Sequence, residues 1–334
     1  MKTLLWKTVA LAGAVLSAQA ALSQGVLIVT SPANGAFVGS TTTISFRIDN
    51  GVREVTVRAE ITAQVGGGAT AIETRVTPDS NGDASGSLTW NPSDAFDEGL
   101  YDIHVTATEQ GNVYNDVDLT VTLDRKKPEL TDHTPQNNSF VNGIVTITAE
   151  IEELNLDSWR VTVNNQDIPF NTGNTPTISV TWDTSNIEDD GEQEIKFIIK
   201  DLAQNQQEIT VSVFLDRQSP TVTVLTPRTD QQIPPLSTLG VAFDVADAAH
   251  NSVSISGILV EIRLLDGTLV KRVSRLRYGQ VNDTTSRWMG RVRLRLPEGV
   301  SNFKLVITVV DKAGNPTVIQ EVPLQYSRGR GRGR

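Results

Sequence analysis

Apolar and polar residues alternate one by one along much of this chain. Tyr101, Ile103, Val105 and Ala107 interleave with Asp102, His104, Thr106 and Thr108. A period of two sends the first set to one side of an extended strand and the second to the other, so the pattern predicts a strand with one buried and one wet face. Ile195, Phe197 and Ile199 repeat it, as do Phe303, Leu305, Ile307 and Val309. Turn residues interrupt such runs at intervals of about 8–12 residues, the rhythm of an all-β sandwich. Strands are predicted at 26–30, 42–48, 54–63, 70–76, 86–90, 101–108 and 113–123. A second set falls at 129–131, 145–151, 158–163, 166–170, 177–182, 193–200 and 208–215. A third falls at 221–225, 240–245, 259–265, 269–278, 288–296, 303–310 and 318–326. No stretch sustains a helical period.

The sets are related by an internal repeat. Trp90 recurs 92 residues later as Trp182, Gly99 as Gly191, Leu123-Asp124-Arg125 as Leu215-Asp216-Arg217, Pro128 as Pro220 and Thr134-Pro135 as Thr226-Pro227. A fixed period of this length marks an array of one module. The expected organisation is a module at 25–125, a second at 126–218 and a third at 219–327. Trp90 and Trp182, at repeated strand positions, are expected in the cores, whereas Trp288 sits in an Arg-rich strand. The joints Leu123-Asp124-Arg125-Lys126-Lys127-Pro128 and Leu215-Asp216-Arg217-Gln218-Ser219-Pro220 are short. Each ends in a proline that fixes its own φ and restricts the residue before it, which favours a semi-rigid connection.

Several local signatures carry a family resemblance. Modules open with Ser31-Pro32-Ala33-Asn34-Gly35 or Thr134-Pro135-Gln136-Asn137-Asn138. A strand ends in Trp182-Asp183-Thr184, and a turn before the last strand reads Asp201-Leu202-Ala203-Gln204-Asn205 or Asp311-Lys312-Ala313-Gly314-Asn315. From about residue 25 to 326 the chain resembles the bacterial immunoglobulin-like domains found in tandem in exported and surface proteins. The resemblance implies three immunoglobulin-like β-sandwiches. It is specific for fold and leaves function open, because this scaffold serves many purposes. The third module departs furthest, lacking the opening Asn-Gly.

Residues 1–20 read as a cleaved signal peptide, with Lys2 and Lys7, a short apolar run at 9–16 and the small-x-small site Ala18-Gln19-Ala20. No later run suggests a transmembrane anchor, so an exported protein is expected in the periplasm, at the cell surface or outside the cell. The chain has no cysteine. That excludes disulfides, thiolate metal sites and lipid attachment through an N-terminal cysteine. Charge is segregated: residues 21–124 carry 4 basic and 14 acidic side chains, 125–217 carry 7 and 16, and 218–334 carry 16 and 9.

Calcium is the one cofactor with candidate ligands. Asp79, Asn81 and Asp83 place oxygen-bearing side chains at alternate positions, as a calcium loop does, but no bidentate Glu follows, and the same residues suit a hairpin turn. Asp124 and Asp216 stand at the joints, where tandem sandwiches can hold calcium between modules. Each is followed by an arginine, and a neighbouring cation opposes a divalent site, so ion pairing or plain exposure is the expectation there. His104, His133 and His250 fall in no HExxH or other catalytic context, and no GxSxG is present, so an enzyme is not expected.

The basic end offers a different chemistry. Arg291, Arg293 and Arg295 alternate with Val292, Leu294 and Leu296, which presents three guanidinium groups on one strand face. Lys271, Arg275 and Arg277, on a neighbouring predicted strand, would extend the patch. The chain ends in a short Arg-Gly tail, 328–334, whose Arg328, Arg330, Arg332 and Arg334 are expected to be disordered and free to wrap a partner. Arginine forks suit phosphate and carboxylate. Partners of this end would be anionic polysaccharide, lipopolysaccharide or extracellular DNA. An acidic module of another copy, associating head to tail, or another surface protein would also fit. The sequence therefore predicts a non-catalytic structural or adhesive spacer, with polyanion or carbohydrate binding by the third module as the alternative.

Overall fold

The computed structural model describes residues 25–66, 68–234, 236–247 and 255–327. The export segment 1–20, the Arg-Gly tail 328–334 and His250 lie outside the described residues. The chain divides into two compact units, Met1–Arg125 and Lys126–Arg334.

The first unit holds β1 (Val26–Ser31), β2 (Phe37–Val38), β3 (Thr42–Asp49), β4 (Val55–Ala63), β5 (Ala69–Val76), β6 (Ala84–Trp90), β7 (Gly99–Glu109), β8 (Asn112–Val113) and β9 (Val117–Leu123). One sheet runs β1-β3-β6. The other runs β2-β9-β7-β4-β5, with β8 paired to β7. The alternation in β7 resolves as expected, with Tyr101, Ile103, Val105 and Ala107 all buried. They meet Phe46, Ile48, Val57, Ile61 and Trp90 in one apolar core. Trp90 packs its ring 5.3 Å from Tyr101 and 5.8 Å from Phe96, centroid to centroid.

The second unit begins with β10 (Glu129–Thr134), β11 (Phe140–Val141), β12 (Ile144–Glu152), β13 (Leu156–Val163), β14 (Gln166–Gly173), β15 (Thr177–Asp183), β16 (Gly191–Asp201) and β17 (Gln206–Leu215). They form sheets β10-β12-β15 and β11-β17-β16-β13-β14 around a core that holds Trp159, Trp182, Ile195 and Phe197. A 3-10 turn at Thr184–Asn186 follows β15, and Asp183 caps it by accepting the Ser185 N–H. β7 and β16 both open on a glycine, Gly99 at φ +136° and Gly191 at φ +131°, a backbone geometry that a side chain disfavours.

Its second sandwich comprises β18 (Thr221–Thr226), β19 (Gln231–Ile233), β20 (Thr238–Ala246), β21 (Ile255–Leu264), β22 (Leu269–Arg272), β23 (Leu276–Asn282), β24 (Thr285–Arg293), β25 (Asn302–Asp311) and β26 (Val318–Tyr326). The sheets are β18-β20-β24-β23 and β19-β26-β25-β21-β22, over a third core that holds Phe243, Leu294, Phe303 and Ile307. In each of the three sandwiches the opening strand ends at a cis X–Pro bond, at Ser31-Pro32, Thr134-Pro135 and Thr226-Pro227. The next short strand then pairs in parallel with the last strand of the opposite sheet.

One expectation is corrected here, and with it the extension of the basic patch to Lys271. The single strand predicted at 269–278 is two strands, β22 and β23, which belong to opposite sheets. Lys271 therefore pairs with Ile262 in one sheet, while Arg277 pairs with Met289 in the other. Buried Val273, with half-buried Val270 and Leu276 three residues to either side, lies in the segment that crosses between the two sheets.

Candidate functional site: a buried carboxylate cluster

Asp216 leaves β17 at the end of its sandwich, and its N–H donates to the Val141 carbonyl at 3.0 Å. Asp247 follows β20, and its N–H donates to the Thr284 carbonyl at 3.0 Å. Asp311 ends β25. One carboxylate oxygen from each lies within 4.8 Å of the others, and the three residues are 0%, 3% and 4% exposed. Two sandwiches of the same unit thus bring three acids into one interior.

Within this cluster one oxygen, on Asp216, is left unmatched. Asp216 Oδ1 accepts the Gln218 N–H at 3.1 Å, whereas its Oδ2 is buried without a hydrogen-bond partner. Burial pushes the Asp216 carboxyl up to about 6; the Gln218 N–H opposes this, and the charges of Asp247, Asp311 and Asp190 add to it. Burial raises Asp311 as well, against the N–H of Ala313 and the side chain of Asn315.

Asn315 clasps the cluster. Its Nδ2 donates to the Asp216 carbonyl at 2.9 Å, to the Gln218 carbonyl at 3.2 Å and to Asp311 Oδ2 at 3.3 Å. Its Oδ1 accepts from Asn142 of the preceding sandwich. Asn205, at the matching turn of that sandwich, donates to Asp201 Oδ2 at 2.8 Å and to the Lys126 carbonyl at 3.3 Å, and Lys126 precedes Gln218 by the same 92 residues. The repeated turn read from the sequence is therefore a device that ties a turn to the entry of its own sandwich.

Arg217 does not pair with Asp216. Its Nε bonds Asp190 at 2.6 Å, and its other nitrogens donate to the carbonyls of Ile187 at 2.9 Å and Glu188 at 3.1 Å. The expected opposition between this cation and a divalent site is thus lifted, because Asp190 and loop carbonyls occupy the guanidinium. Three carboxylates, hard oxygen donors with three negative charges, suit calcium, whose ligand distances of about 2.3–2.6 Å place ligand oxygens within about 5 Å of one another. Asp247, Asp311 and Asn315 were not singled out as ligands in the sequence. The one available signal was the Asp-x-Ala-x-Asn spacing shared by 201–205 and 311–315.

The other candidates fall elsewhere. Asp79, Asn81 and Asp83 form the turn between β5 and β6, which belong to opposite sheets, so it is a connection between sheets and not the expected hairpin. Asp79 Oδ1 accepts the N–H of Asn81 at 2.8 Å and of Asp83 at 3.0 Å. Those bonds hold its carboxyl below the usual range, so the turn itself satisfies this charge. Asp124 closes the first unit, its N–H on the Val38 carbonyl at 2.9 Å. Arg125 reaches Glu98 at 3.0 Å. Arg291, Arg293 and Arg295 are all exposed, while Val292 and Leu294 between them are buried. Arg275 and Arg277 are exposed beside them. Arg328, Arg330, Arg332 and Arg334 lie outside the described residues. Trp288 packs partly buried against the third core, and its indole N–H donates to Ser286 Oγ at 3.0 Å.

Residues 250–327 match the bacterial Ig-like domain family. No curated protein matches the chain. Among solved structures, the fibronectin(III)-like modules of Clostridium thermocellum CbhA are 14% identical, with a TM-score of 0.39, over 62% of this chain and 97% of that one. A tetra-tandem repeat from the extending region of a large adhesion protein is 15% identical, with a TM-score of 0.31, over 91% and 74%. The I9–I11 tandem of titin is 14% identical, with a TM-score of 0.25, over 90% and 98%. Among the described residues no helix is long and apolar enough to cross a membrane.

Proposed function

From a chain that is a tandem of immunoglobulin-like domains, we propose an exported structural or adhesive protein whose second and third sandwiches are locked together by calcium. The fold is of a class that is generally non-catalytic, and a non-catalytic role is part of the proposal. The observation that carries the reading is the buried cluster of Asp216, Asp247 and Asp311 with the orphaned Asp216 oxygen. A buried charge must be paired, protonated or bound to a metal. A divalent ion there draws ligands from both sandwiches, so its binding energy opposes any bending at that joint. A spacer or adhesive arm needs this property, because an ordered joint keeps the distance between its ends fixed.

The test is calorimetry of the full chain at neutral pH, dialysed free of metal and then titrated with calcium. A saturable heat with a stoichiometry of at least one ion, lost in Asp311→Asn, is expected. Equal melting curves in calcium and in chelator would remove the metal from this account.

A further inference from the structure

The outer face of the sheet β18-β20-β24-β23 carries a concave groove of about 570 Å³, lined by Thr226, Gly240, Ala242, Met289 and Gly290 together with Arg275, Arg277 and Arg291. The cross-strand register explains the grouping. Arg291 stands opposite Gly240 on β20, Met289 stands opposite Ala242 on β20 and Arg277 on β23, and Thr226 flanks Ala242 from β18. The floor is therefore of small residues and the walls are long cations. A Cβ on Gly240 would meet nothing within 4 Å, so a ligand can approach the backbone there. Gly290 serves the groove differently. A Cβ on it would lie 2.8 Å from Val273, 2.9 Å from Leu276 and 3.2 Å from the Arg275 carbonyl, so the missing side chain lets the segment bearing Arg275 close over β24.

Neighbouring arginines are spent on carboxylates. Arg287 forks onto Asp244 at 2.7 and 2.9 Å, and Arg263 and Arg272 share Glu261. Arg275, Arg277 and Arg291 have no carboxylate within 4.0 Å among the described residues. Three unneutralised guanidinium groups beside a hydroxyl are matched by an anion with two charges and several acceptor oxygens. A phosphate monoester has that chemistry, and arginine binds it in bidentate fashion. The volume lies within the range of small-molecule pockets, about 300–1,000 Å³. That exceeds the needs of inorganic phosphate and leaves room for a body of monosaccharide size.

We propose that this groove binds a phosphate monoester carried on a sugar-sized body, with Arg275, Arg277 and Arg291 holding the phosphate over the Gly240–Ala242 floor. The site differs from the diffuse basic surface read in the sequence, because Arg293, Arg295 and Lys271 do not line it.

The experiment titrates the full chain with glucose 6-phosphate, with glucose and with inorganic phosphate as controls, at about 50 and about 300 mM salt. Glucose 6-phosphate is expected to bind at least about tenfold more tightly than glucose, and more weakly at the higher salt. The triple variant Arg275→Gln, Arg277→Gln, Arg291→Gln should lose at least about tenfold, whereas Arg293→Gln with Arg295→Gln should stay within about twofold. All five side chains are exposed, so the folded state is expected to persist, and circular dichroism checks it. Vesicles of phosphatidic acid in phosphatidylcholine form a second arm. Sedimentation with them that requires the three groove arginines, without binding of the soluble phosphosugar, places the same phosphate chemistry on a lipid headgroup. The proposal is overturned if neither arm binds. It is also overturned if the Arg293 and Arg295 changes weaken binding as much as the groove changes, since that would mean surface charge alone.

Discussion

Two regions of this molecule gather three metal-capable side chains within the same 4.8 Å: His104, Asp116 and Asp118 in the first unit, and Asp216, Asp247 and Asp311 in the second. The number of groups and their spacing match; the surroundings are opposite. The first group lies on the wet face of β7 and of β9, with Asp116 just before β9, where water screens each charge and His104 Nδ1 meets Asp118 at 2.6 Å. The second is sealed between two sandwiches, with one oxygen lacking any partner. Proximity of carboxylates is therefore a weak indicator of a cation site. Proximity combined with burial is a strong one, because removing water takes away the ordinary means of stabilising the charge.

Metal addition should separate the two regions most sharply. A ligand present at about 1,000 times its dissociation constant stabilises the state that binds it by about 4 kcal/mol. For a unit of about 200 residues that corresponds to a rise in melting temperature of about 8–16 °C. Differential scanning calorimetry should show this rise with calcium for wild type and for Asp118→Asn, and no rise for Asp311→Asn. A rise that is lost in Asp118→Asn and kept in Asp311→Asn would reverse the comparison.

Without metal, the buried cluster should answer to pH in an unusual direction. The folded Asp216 carboxyl, near 6, lies above its unfolded value of 3.8. The folded state then holds the extra proton between these values, so stability falls as pH rises from about 4 through about 6 and is level above. The shift corresponds to on the order of 2–3 kcal/mol. Asp167, Asp244 and Asp266 are shifted down and act in the opposite sense, their stabilisation being lost as pH falls. The contribution is isolated by comparing urea midpoints of metal-free wild type and Asp216→Asn at pH 4.5 and 7. The deficit of wild type should appear at pH 7 and vanish when calcium is added. A deficit that is the same at both pH values would show that Asp216 is not the titrating group.

How much of this was written in the chain depends on which contacts are local. Alternation alone placed Tyr101, Phe197 and Phe303 inside and set Arg291, Arg293 and Arg295 outside, because the inward or outward choice in a strand repeats every second residue. The same rule could not see that β22 and β23 belong to different sheets, since alternation says which face a side chain takes and not which sheet its strand joins. The carboxylate cluster was only one-third legible. Asp216 stood out at a joint, but Asp247 and Asp311 come from 31 and 95 residues further on and meet it through the packing of two sandwiches. The adjacent Arg217 suggested a neutralised charge, and only the fold shows that guanidinium turned to Asp190.

The asparagine clasp gives an intermediate effect. Asn315→Ala removes donors to the Asp216 and Gln218 carbonyls and to Asp311, leaving buried acceptors unmatched. Such a loss costs about 1–3 kcal/mol. Calcium affinity should drop with it, because the clasp positions Asp216 and Asp311, and calorimetry of the variant with and without calcium measures both effects. An unchanged melting temperature and an unchanged affinity would show that Asn315 holds nothing that the cluster needs.

The smallest expected effect belongs to the exposed group, and it is the control that gives the comparison its meaning. The hydrogen bond that His104 makes to the Asp118 carboxylate raises its imidazole above the ordinary 6.5, against desolvation and with further help from the charges of Asp118, Asp116 and Glu60. A histidine with a raised folded value contributes stability below its unfolded value and loses it as pH rises through the folded one. Because both partners are solvent-exposed, that contribution is screened and should scarcely move the melting temperature. Histidine proton NMR reads it directly: His104 should titrate above the ordinary value in wild type and move down towards it in Asp118→Asn. Calcium at the concentration that stabilises the second unit should leave the His104 titration in place. If calcium displaced it, the exposed trio would be a metal site too, and burial would no longer be what distinguishes the two regions.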